Sequence, residues 1–75
     1  MKEKKIMLPS VEEAKHFVAE ATKCDFDIDI FYNRVIIDAK SILGILSMDL
    51  NRDLTVHCYG DSPAFNKTLQ KFAVA

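Results

Sequence analysis

The spacing of apolar positions changes period several times along the chain, and each change marks an element. Lys5-Ile6-Met7-Leu8 predicts a short strand stopped by Pro9, which has no N–H to give a ladder. Ser10 then opens SVEE, a capping-box arrangement in which Ser10 and Glu13 each accept from the other's otherwise orphan backbone N–H. Val11, Ala14, Phe17, Val18 and Ala21 follow at helical spacing, with Glu12, Lys15, His16, Glu20 and Lys23 on the other side, so a helix is predicted from about Val11 to Lys23.

Strict alternation takes over in DFDIDIFY, residues 25–32. Phe26, Ile28, Ile30 and Tyr32 fall on one face, and Asp25, Asp27, Asp29 and Phe31 on the other, the pattern of a half-buried strand. Asn33 and Arg34 occupy a two-residue turn, Asn being tolerant of positive φ, and Val35-Ile36-Ile37 returns as the hairpin partner. A short helix led by Ser41 comes next. Leu54 to Tyr59 alternates again, with Leu54, Val56 and Cys58 inward and His57 on the polar face, expected beside Asp27 or Asp29. Ser62 as N-cap and Pro63 at the first helical position begin a last helix carrying Phe65, Leu69 and Phe72.

The order is β-α-β-β-α-β-α. One polar face per strand, with three helices to place, predicts an α+β open-faced two-layer sandwich: a four-stranded antiparallel sheet with all three helices on one face and water on the other.

Composition narrows the function. A chain of 75 residues is expected to form one domain, 1–75, too small for a multi-step active site with a large pocket. With 49% hydrophobic and 28% charged residues it reads as an ordinary globular chain, and a net charge of −1 predicts neither nucleic-acid nor anionic-membrane binding. MKEKKIMLPS has too few apolar residues for a signal-peptide core or a membrane span, which makes a cytoplasmic location the expectation. Cys24, Cys58 and two unpaired histidines complete no metal site, and no cofactor is expected. Two reduced thiols are the simpler reading, with a disulfide left open if both lie near the same sheet end.

Local stretches then resemble a known family. AKSILGILSMDL is similar to the lysine-serine-led second helix of HPr, the histidine-containing phosphocarrier of the bacterial sugar phosphotransferase system. AEATKCDFDIDIFYN is similar to the end of its first helix and its second strand, with the same Tyr-Asn turn. The resemblance spans nearly the whole chain and implies the same sandwich.

One part of the pattern is absent. The family's Gly-Leu-His-x-Arg-Pro-Ala run should fall where this chain reads PSVEEA. Aligned through Phe17-Val18-x-Glu20-Ala21, the phosphorylated histidine lands on Ser10, the phosphate-binding arginine on Glu12 and the proline on Glu13. Ser10 is therefore the position of a lost catalytic histidine and reads as an N-cap. Glu12 and Glu13 suit the positive end of a helix but repel a phosphate. No catalytic residue is expected, and the chain is not expected to be an enzyme.

The resemblance also gives Ser41 a role. It matches the serine that an ATP-dependent HPr kinase phosphorylates in Gram-positive HPr proteins, and that is kept in a paralogous regulator without the catalytic histidine. Ser41 is thus either a helix cap alone or a cap that is also a regulatory phosphorylation site. By the same resemblance Lys40, Ile42, Leu43 and Leu46 form a docking surface for a protein partner such as an HPr kinase or a transcriptional regulator. Ile45, Met48 and Leu50 are expected to pack on the sheet. Gly44, in the middle of that helix, implies close packing or a loose segment.

The implied function is a non-catalytic regulatory or adaptor protein, monomeric or weakly homodimeric. A divergent phosphocarrier using His16 or His57, and a homodimeric interaction domain, are the alternatives.

Overall fold

A computed structural model describes residues 1–48 and 52–74. The elements are β1 (Lys2–Ile6), α1 (Val11–Thr22), β2 (Ile28–Tyr32), β3 (Val35–Asp38), α2 (Ile42–Leu46), β4 (Leu54–Cys58) and α3 (Pro63–Phe72). The strands make one antiparallel sheet in the order β1-β4-β2-β3. Helices cover one face, and the other meets water, as the alternation predicted.

Register explains the division. Leu54, Val56 and Cys58 of β4 stand in rows with Ile6 of β1 and with Ile28 and Ile30 of β2, and all of these are buried. The intervening rows, Glu3–His57–Asp29–Asp38 and Lys5–Thr55–Phe31–Ile36, point to the open face. From the helical side come Ala14, Phe17, Val18 and Ala21 of α1 and Phe65, Leu69 and Phe72 of α3. Phe17 lies between the other two helical phenylalanines, its ring centroid 5.5 Å from that of Phe65 and 6.4 Å from that of Phe72.

Two strand boundaries and the burial of one helical residue differ from expectation. The first strand is Lys2–Ile6, more charged and earlier than Lys5–Leu8. Ladder bonds need backbone only, and lysines on an edge strand can hold their ends in water: Lys2 Nζ reaches Asp61 at 3.2 Å and Asn66 at 3.0 Å. Leu8 is fully buried but lies past the ladder. The second strand begins at Ile28 rather than Asp25, because Cys24 is still tied to the helix by its N–H donating to Ala21 O at 3.1 Å. Val11, expected on the buried face of α1, is exposed at the helix's outer end.

Phe26 leaves the sheet row and lies over Gly60. A Cβ on Gly60 would come within 2.4 Å of the Phe26 ring, so only glycine lets the two segments approach this closely. Gly60→Ala is expected to cost about 1–3 kcal/mol, seen as a lower urea midpoint at unchanged m-value. An unchanged midpoint would show that Phe26 can swing away without loss.

The turn between β2 and β3 uses Asn33 at φ 54°, the one non-glycine residue with positive φ among those described. Positive φ at the first turn position alone is the II′ pattern, whose twist suits a two-residue hairpin. Cys24 and Cys58 are both buried and free. Burial pushes the Cys58 thiol up, keeping it in the unreactive protonated form.

Candidate functional site

At the head of α1, Ser10 is extended and its Oγ accepts from the N–H of Glu13 at 3.2 Å, while its C=O accepts from Ala14 N–H at 3.0 Å. These bonds make Ser10 the N-cap that the spacing to Glu13 predicted. Glu12 and Glu13 fill the first turn, which satisfies the helix dipole with protein carboxylates and leaves the end electrostatically closed to another anion.

Neither histidine lies at that end. His16 is exposed, more than a turn into α1, with its ring edge toward Phe72 at a centroid distance of 6.3 Å. One turn on is Glu20, whose carboxyl is held below the usual range first by the hydrogen bond from Lys23 at 2.8 Å, with His16 a smaller contributor. His57 is on the open face of the sheet. Its Nε2 lies 2.8 Å from Glu3 Oε1, so its partner is Glu3 on β1 rather than Asp27 or Asp29. The reason is strand order: β4 lies between β1 and β2, so His57 has Glu3 on one side and Asp29 on the other. The expected neighbour Asp29 is thus in place, and the hydrogen bond goes to Glu3 on the other side.

Ser41 caps α2. Its Oγ accepts from Gly44 N–H at 3.1 Å, and its C=O accepts from Ile45 N–H at 3.0 Å. The loop before it is fixed by Asp38, whose Oδ1 takes the Lys40 N–H and whose backbone carbonyl takes the Ser41 N–H, both at 2.9 Å. Ser41 remains half-buried. Beyond it Leu43 is 81% exposed and Leu46 38%, whereas Ile45 and Met48 are buried beneath. Leu50 lies outside the described residues.

Two members of the expected docking set stand differently. Ile42 is half-buried and packs against the core. Lys40 directs its Nζ to the carbonyl of Cys24 at 2.9 Å, tying the end of α1 to the start of α2. Its charge thus meets a backbone carbonyl just past the end of α1 rather than standing free. Gly44 is explained by close packing: a Cβ there would lie 2.7 Å from Ile37 Cγ2, a stiff branched atom on β3.

The sequence pattern missed an aromatic row on the open face. Phe31 and His57 have centroids 4.3 Å apart, and Tyr59 lies 6.5 Å from His57. Alternation places Phe31 and His57 outward, but only the register makes them neighbours. A shallow cleft of about 240 Å³ between β1 and α3, lined by Lys2, Lys4, Asn66, Leu69 and Gln70, was likewise invisible. Among the described residues, no group of three or more His, Cys, Asp or Glu could hold a metal ion, and no helix is long and apolar enough to cross a membrane.

The family profile described as the PTS HPr component phosphorylation site matches residues 11–74. The chain belongs to the HPr family. An HPr-C-His protein from Thermoanaerobacter tengcongensis superposes with a TM-score of 0.78 at 26% identity, covering 95% of this chain and 89% of that one. The phosphocarrier protein HPr from Bacillus anthracis str. Ames gives 0.74 at 24%, covering 95% of each chain. The Bacillus subtilis catabolite repression protein Crh, described as a swapped, intertwined dimer, gives 0.67 at 22%, covering 93% and 88%. No curated protein matches in sequence.

HPr proteins are phosphocarriers rather than enzymes that turn over a substrate, and the fold here is the HPr open-faced sandwich. The family match begins at Val11, one residue after Ser10.

Proposed function

We propose that this protein is a non-catalytic regulatory or adaptor member of the HPr family, a single HPr-like domain over residues 1–75 acting in the cytoplasm. It docks a protein partner, such as an HPr kinase or a transcriptional regulator, through Leu43 and Leu46 beside Ser41, with Ile42 and Lys40 shaping the patch from beneath. Ser41 is the site of regulatory phosphorylation. One observation carries the reading. Ser41 caps α2 beside the exposed Leu43 and Leu46, while Ser10, where the resemblance puts the catalytic histidine, caps α1 with Glu12 and Glu13 in its first turn.

A phosphoryl group on Ser41 would place about two negative charges beside an otherwise apolar patch, enough to change which partner fits. Leu43, 81% exposed, contributes little to folding, so its exposure is compatible with a role in recognition. HPr kinase with labelled ATP is expected to modify the wild-type protein and not Ser41→Ala. Absence of label on the wild type would reduce Ser41 to a cap. Leu43→Glu is expected to leave the melting curve within about 0.5 kcal/mol of wild type, because the side chain touches little in the fold.

A further inference from the structure

The two edges of the sheet are finished differently. β1 shows Lys2, Glu3, Lys4 and Lys5 to solvent, and its outer side is partly occupied: Ala73 bridges to Ile6, and Val74 N–H donates to Lys5 O at 3.0 Å. Charged residues and a covering segment are how edges are blunted against pairing. β3 has neither. It is bonded to β2 alone, with Val35 49% and Ile36 61% exposed.

The ladder shows which groups on that edge are free. The two-residue turn makes Tyr32 and Val35 a hydrogen-bonded pair, and Ile30 with Ile37 is the next. Phe31 with Ile36 falls between them, so the N–H and C=O of Ile36 point away from β2, off the open edge. Asp38 has the same phase, but its C=O is taken by Ser41 N–H. Ile36 is thus the residue about which another strand could pair.

The charges about Ile36 are self-complementary. In Arg34-Val35-Ile36-Ile37-Asp38, antiparallel pairing of two copies about a twofold axis at Ile36 sets Arg34 opposite Asp38 of the second copy, twice. A slip that centred the pair on Ile37 would set Arg34 against Lys40 and also turn the wrong backbone groups inward. Among the described residues the guanidinium of Arg34 has no partner, and Asp38 keeps Oδ2 free while Oδ1 holds the Lys40 N–H.

We propose that the β3 edge is a self-association surface whose occupant is the β3 edge of a second copy of this chain, paired antiparallel about Ile36. On the helical side Val35 then meets Ile37 of the second copy, covering two half-exposed aliphatics. On the open face Ile36 meets its own copy, extending the Phe31–Ile36 row across the seam. The interface uses neither Ser41 nor the leucines of α2 and stands apart from the proposed docking role.

Sedimentation velocity of the full chain tests this over about 10 μM to 1 mM, the range in which a small interface is read. The wild type is expected to pass from the 8.5 kDa monomer to twice that mass. Arg34→Asp and Asp38→Arg are each expected to weaken association roughly tenfold, from two lost cross-strand charge pairs, and an equimolar mixture of the two variants to recover it as a heterodimer. Ile36→Lys is expected to leave only monomer, with an unchanged melting curve. Amide exchange supplies a reading without substitution: the Ile36 N–H should become protected as wild-type concentration rises. A monomer throughout, a dimer indifferent to Ile36→Lys, or a dimer with a fast-exchanging Ile36 N–H would each overturn the proposal.

Discussion

Incubated with enzyme I and labelled phosphoenolpyruvate, the protein is expected to acquire no acid-labile phosphohistidine. A phosphoryl group on imidazole is stabilised when free backbone N–H groups and a cation face it. At the head of α1 the Glu13 N–H is already bonded to Ser10 Oγ and the Ala14 N–H to Ser10 O, and the first turn carries Glu12 and Glu13. Each carboxylate at about 4 Å would repel each phosphate charge by about 1 kcal/mol even in water. His16 stands beyond the turn whose N–H groups could help, with Glu20 following it on the same face. His57 is on the far side of the sheet with Glu3 Oε1 at 2.8 Å, an anion where a phosphoryl group would need a cation. Stoichiometric label would restore the phosphocarrier reading, and its loss in His16→Ala or His57→Ala would name the group responsible.

Phe17→Ala is expected to remove about 3–5 kcal/mol of stability, the usual cost of emptying a fully buried aromatic site. A chain of 75 residues holds on the order of 4–11 kcal/mol in all, so the substitution consumes a large share of it. The ring joins α1 to both Phe65 and Phe72 of α3, whereas the other ring contact between these helices, His16 with Phe72, involves an exposed side chain of α1. The melting temperature should fall by upward of about 12 °C, against a small change for Leu43→Ala at the exposed patch. Equal losses for the two substitutions would mean that the core does not centre on Phe17.

The resemblance to HPr, carried by AKSILGILSMDL and AEATKCDFDIDIFYN, was legible in the sequence, and the family match bears it out. Caps were legible too. Ser10, Ser41 and Ser62 each accept from the N–H three residues on, because capping is a local event that depends on one side chain and one turn. The exposure expected around α2 was legible in part: Leu43 and, less fully, Leu46 are exposed, but Ile42 packs on the core and Lys40 is turned to the Cys24 carbonyl by contacts with distant residues.

The sequence by itself determined the order and type of the elements, the two periods that separate core from surface, and the electrostatic closure of α1. These depend on neighbours within a turn or on alternation along one strand. Tertiary structure alone decided that β4 lies between β1 and β2, and with it that His57 faces Glu3. It also decided that Gly44 and Gly60 are fitted to Ile37 and Phe26, and that among the described strands β3 stands at the edge of the sheet, paired with β2 alone. Strand order is a choice among pairings of similar local energy, settled by how three helices of unequal length cover one face, and no short stretch of sequence contains that comparison.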